Sequence, residues 1–141
     1  MQKIRRIAIS TFLAAIAMFG LSYVWHGMIL NDFKNITLAF PLFMVLSVMV
    51  YFLISLVLNI LLFKIDFENS LTTKRLLVGG IVGFSIYLIV FTLGMSYGER
   101  GMKHIVSDFA WQMFEQGMGA LVVDFCLHIY SRIDKLESAE E

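Results

Sequence analysis

Six polar side chains interrupt one apolar stretch near the end of the chain: Asp108, Gln112, Glu115, Gln116, Asp124 and His128. They stand among Phe109, Trp111, Met113, Phe114, Leu121 and Val122. A carboxyl group in an apolar span costs a few kcal/mol, so such residues face a bundle interior or a wet cavity, pair with one another, or mark a path for a proton, ion or polar solute. At about 100° per residue, Gln112 falls about 40° and Glu115 about −20° from Asp108, so the three share one helix face. Asp124 and His128, at about 160° and 200°, lie opposite. Glu115 is about ten residues into the span, roughly 15 Å deep and close to the midplane of a bilayer. Asp124 and His128, four residues apart, suit an interfacial acid–imidazole pair near a helix end.

A second group gathers at the other end of this face. His26 lies beside Trp25 about one turn from the end of the first apolar stretch, and Glu99, Arg100 and His104 surround the connection before the fourth. If the first and fourth helices are neighbours, His26, Asp108, Gln112 and Glu115 form a cluster, with His26 within reach of Asp108 or Gln112. Its simplest meaning is a hydrogen-bonded seam that fixes helix register. It would also serve as an ion or solute site, and His26, Asp108 and Glu115 have the ligand chemistry for zinc, iron or manganese. His26 and His128 lie at opposite depths and cannot share one haem; His26 and His104 could, if His104 folds inward. No Glu-x-x-His pair is present.

The elements that must position these groups are membrane-spanning by composition. Of 141 residues, 59% are hydrophobic and 16% charged, against roughly 45–50% and about 25% in soluble domains. Four spans separate, over about 7–30, 38–63, 76–97 and 105–130, each long enough to cross a bilayer with some tilt. The first follows Lys3, Arg5 and Arg6, yet it is about twice as long as a signal-peptide core, so a retained helix is expected. Pro41 falls in the first turn of the second span, where a missing N–H costs nothing. The phenylalanines and methionines read as lipid-facing and core filler. The expected fold is all-α: a single-domain integral membrane four-helix bundle, up-down-up-down, spanning residues 1–141. Lys and Arg residues divide eight to three between the two sets of chain ends and loops, which places both termini in the cytoplasm.

Composition excludes several functions. Lys plus Arg equals Asp plus Glu at 11 each, leaving no basic footprint for nucleic acid. There is no phosphate loop, dinucleotide fingerprint or HExxH. One cysteine, Cys126, permits neither an intrachain disulfide nor a Cys-based zinc site. Gly79 and Gly83, spaced four apart, would let helices approach closely, within the bundle or across a homodimer.

Two stretches stand out together: Leu21-Ser22-Tyr23-Val24-Trp25-His26-Gly27, and Thr92 through Arg100 leading into a fourth helix with an aromatic-rich start and Gly119. This layout resembles a family of small bacterial four-helix membrane proteins of unknown function. In that pattern a second aromatic is expected where this chain has His26, and the fourth helix is less acidic. The resemblance implies four helices and the bacterial inner membrane, and it implies no activity. The expected role is non-enzymatic, transporter-like or accessory, with Glu115 as the deepest ionisable group, alone or in a larger membrane complex. The alternative of a different class is a metal- or haem-binding redox subunit using His26 and the nearby carboxylates.

Overall fold

The computed structural model describes residues 2–35, 38–64, 72–92 and 102–137. These form four α-helices and, among the described residues, no strand: α1 (Gln2–Ser22), α2 (Phe40–Lys64), α3 (Thr72–Thr92) and α4 (Met102–Glu137). Helix α1 runs on as a π-helical segment, Tyr23–Ile29, closed by the Leu30 N–H donating to the Trp25 carbonyl at 2.8 Å. Asn31 then takes φ 57°, a left-handed conformation that Asn tolerates better than most residues, and the helix stops there. A 3-10 turn, Asp32–Asn35, leads towards α2. Pro41 is the second residue of α2, as expected of a helix-starting proline. Helix α4 continues past the expected end at residue 130 to Glu137. Its last turns are rich in good helix formers, and 36 residues make about 54 Å of helix, more than a bilayer core requires.

The contacts fix the arrangement. Helix α4 touches α1, α2 and α3, whereas α1 and α3 do not meet. Sequential neighbours run antiparallel: Ser55 and Asn59 of α2 bond to Thr11 and Ile7 of α1, and Gly79 and Gly83 of α3 lie on Gln116 and Gln112 of α4. The Arg6 guanidinium lies 5.6 Å over the Tyr130 ring, tying the start of α1 to the end of α4. The α1–α2, α3–α4 and α1–α4 pairs are thus antiparallel, and the most extensive contacts are those of α4.

Packing is tight where small residues meet. A Cβ at Gly79 would lie 2.6 Å from the Gln116 carbonyl oxygen and 2.7 Å from the Gly117 Cα. One at Gly83 would lie 2.7 Å from the Gln112 carbonyl oxygen and 2.9 Å from the Met113 Cα. The two glycines are thus taken up in the α3–α4 contact, the within-bundle reading of their spacing. Gly119 likewise makes room for Met18.

The distribution of polarity is inverted relative to a water-soluble bundle. The buried apolar set consists of Ala14, Ala15, Met18, Leu58, Leu62, Ala120, Val123 and Cys126. Among the described residues, six polar ones are buried with it: Ser10, Thr11, Ser55, Asn59, Glu115 and Gln116. Phe12, Ile16, Val45, Met49, Leu53, Ile81 and Phe125 are among many large apolar side chains left exposed. Two helices are long and apolar enough to cross a membrane, over residues 4–29 and 40–64, while the apolar stretch of α3, Arg75–Val90, is shorter.

Candidate functional site

Helix α4 buries Glu115 on the side that meets α1 and α2. Glu115 is 1% exposed and Gln116 is fully buried. Tyr51 of α2, Ser22 of α1 and Trp111 surround the carboxyl group at hydrogen-bonding range, although the Trp111 indole N–H has no aligned acceptor. The Gln116 Nε2 donates to Glu115 Oε1 at 3.3 Å. Each of these four neighbours can donate a hydrogen bond, and no cation faces the carboxyl group among the described residues. Tyr51 and Ser22 were not singled out in the sequence, because a lone hydroxyl in an apolar helix carries no periodic signal.

Tyr51 and Ser22 also line a cavity of about 360 Å³ to which all four helices contribute. Its lining is mostly apolar and aromatic, with Phe19, Tyr23, Phe33 and Phe43 from the first part of the chain and Ile86 and Val90 from α3. His26, Ser47 and Gln112 add polar points. The rings support one another in a chain: Phe19–Tyr51 at 6.1 Å, Tyr23–Phe33 at 5.4 Å and Phe33–Phe43 at 5.4 Å between centroids. Phe33 reaches this position because Gly27 has no side chain; a Cβ there would lie 2.6 Å from the ring. The π-helical turn that carries Tyr23, His26 and Gly27 is a local distortion of the kind often found at functional sites.

The expected outer cluster is only partly assembled. His26 and Gln112 line the same cavity. The His26 Nδ1, however, lies 3.1 Å from Asp32 Oδ2 in the connection after α1, so its bond goes there rather than to Asp108 or Gln112. The close partner, six residues away, comes to hand through the tight turn at Asn31. Asp108 acts electrostatically on the Tyr87 phenol, on the α3 side of α4. Among the described residues no three His, Cys, Asp or Glu side chains converge as a metal-ligating group. The expected ligand set of His26, Asp108 and Glu115 is therefore not brought together. The side chain of His104, the other expected haem partner, lies outside the described residues, as do Glu99 and Arg100.

At the opposite end, Asp124 forms an ion pair with Arg75 of α3. His128 lines the same recess, of about 190 Å³, together with Leu62 and Leu127. The acid–imidazole pair expected from i,i+4 spacing thus has a guanidinium between helices as its main feature, which spacing within one helix cannot reveal.

Two features had no place in the sequence reading. Asn59 of α2 donates through Nδ2 to the Ile7 carbonyl at 3.2 Å, to Thr11 Oγ1 at 3.1 Å and to Ser10 Oγ, while Ser55 Oγ donates to the Thr11 carbonyl at 2.6 Å. This is a polar seam between α1 and α2, and its signal was legible as Ser55 and Asn59 four residues apart in a 25-residue helix without acidic residues. Trp25 of α1 and Trp111 of α4 stack with centroids 4.3 Å apart and planes 9° from parallel.

No family model, curated protein or solved structure matches the chain.

Proposed function

We propose that this chain is an integral membrane protein of four spans, both termini cytoplasmic, that admits a small solute into the cavity above Glu115 in a transporter-like or accessory role without catalysis. The polarity inversion supports membrane insertion. Only 28% of the first span and 22% of the second is buried inside the bundle, whereas the core helix of a soluble protein is mostly buried. A water-soluble surface made of so many large aliphatic and aromatic side chains would aggregate. The basic residues, divided eight to three, support the orientation. By that orientation the cavity would lie towards the non-cytoplasmic side, since His26 stands near the end of the first span and Phe33 in the connection after it.

The observation that carries the functional reading is the cavity itself. Its apolar walls converge on Tyr51 and Ser22, with the buried Glu115 behind them. Largely apolar hollows with a few convergent polar groups are the usual form of small-molecule sites, and intramembrane carboxyl groups commonly mark a solute path. Access is testable with cysteine substitutions in a Cys126→Ala background. Ser47→Cys and Gln112→Cys should react with a membrane-impermeant maleimide added from outside the cytoplasm, and Leu53→Cys on the lipid face should not. No reaction at either cavity position would overturn the reading.

A further inference from the structure

The cavity has a chemical bias that its shape alone does not express. Five aromatic rings line it, those of Phe19, Tyr23, Phe33, Phe43 and Tyr51. No Lys or Arg is among its lining residues, and the imidazole of His26 is engaged by Asp32. An anion would therefore find no countercharge. Beside Tyr51 and Ser22 of the lining, Glu115 is surrounded by groups able to donate to it and has no cationic partner among the described residues. A carboxylate removed from water is costly unless an opposite charge is near. Aromatic faces attract cations through their negative quadrupole, and cages of them select quaternary ammonium groups.

We propose that the cavity binds a lipophilic organic cation, a quaternary ammonium or similar onium ion, caged by the aromatic rings with Glu115 as its countercharge. Resting on the cavity reading above, the inference adds the ligand class. The ring system supplies contact for the organic substituents, and the positive centre sits towards Tyr51 and Ser22, the side nearest Glu115. A weakly hydrated onium ion suits this site better than a primary ammonium. The walls offer few acceptors to replace the water that a primary ammonium would lose.

The test uses the full chain in lipid nanodiscs, with benzyltrimethylammonium as the probe and neopentylbenzene, its neutral carbon isostere, as the comparison. Equilibrium dialysis should show saturable binding of the cation and at least tenfold weaker binding of the isostere. Glu115→Gln should weaken cation binding about tenfold and leave the isostere unchanged. Should that variant fail to fold, Phe33→Leu serves in its place: losing a π face at similar bulk should weaken the cation alone. Equal binding of the two probes to the wild type, or unchanged cation affinity in both variants, would overturn the inference. If Ser47→Cys and Gln112→Cys still react with maleimide, such a result removes only the ligand class; if they do not, the cavity reading falls as well.

Discussion

Replacing Gly79 by Ala should separate α3 from α4, and the size of the effect follows from two contacts. The added methyl group would meet the Gln116 carbonyl oxygen at 2.6 Å and the Gly117 Cα at 2.7 Å. Both are backbone atoms within a helix and cannot swing aside. Ordinary contact begins at about 3.4 Å, so the helices must part by roughly 0.8 Å, loosening dispersion contacts along their shared length. Overpacking of this kind costs about 1–3 kcal/mol. Ala also has a higher helix propensity than Gly, by about 1 kcal/mol, which would mask part of the loss. Gly20→Ala provides the correction: a Cβ there meets nothing within 4 Å, so that variant reports propensity alone. Gly80→Ala is a second control, with only the flexible end of Met113 at 3.5 Å. The expected outcome is that Gly79→Ala is about 1–3 kcal/mol less stable than Gly20→Ala, and Gly80→Ala is close to Gly20→Ala. Unfolding in detergent followed by circular dichroism measures all three. Gly79→Ala unfolding together with Gly80→Ala would refute the close approach of α3 and α4.

Asn59→Ala should destabilise the protein in the same assay by about 1–3 kcal/mol, because it removes the polar partner of Ser10, Thr11 and the Ile7 carbonyl; a loss below a few tenths would show that the seam contributes nothing. Arg75→Met should cost more stability than the Arg75→Met, Asp124→Asn double variant, since the single change leaves a half-buried carboxylate without its guanidinium; additive losses would show that the pair is uncoupled. Reporter fusions active only outside the cytoplasm should be bright after Lys34 and Lys103 and dark after Arg75 and Lys135, and a bright fusion after Arg75 or Lys135 would reverse the orientation.

Helix arithmetic located Glu115 at the centre of the bundle because a period of 3.6 residues and a depth are local quantities. It could not give the partners. Tyr51 and Ser22 come from two other helices, and their meeting depends on the register of α1 and α2 against α4. His26 shows the converse error. Its depth matched that of Asp108, but depth does not fix direction, and a turn closed by a left-handed Asn31 supplied Asp32 first. The seam at Asn59 was overlooked for a different reason: uncharged Asn, Ser and Thr barely lower the hydropathy of a span, while an Asn side chain in an apolar helix needs partners as surely as a carboxyl group does.

The placement of α4 follows from its own polarity. A helix carrying Asp108, Gln112, Glu115, Gln116 and Asp124 has the most to lose by facing hydrocarbon, and it is the helix that packs most extensively against its neighbours. Helix α2, without an acidic residue and with most of its large side chains exposed, sits at the other extreme. Under the proposed membrane insertion, this ordering is what partition between lipid and protein interior would demand. Glu115 is buried where α1, α2 and α4 meet, beside the hydroxyls of Ser22 and Tyr51. The aromatic walls then rise from the same junction along Phe19, Tyr23, Phe33 and Phe43. Burial of the carboxyl group and construction of the hollow above it are one consequence of placing the most polar helix innermost.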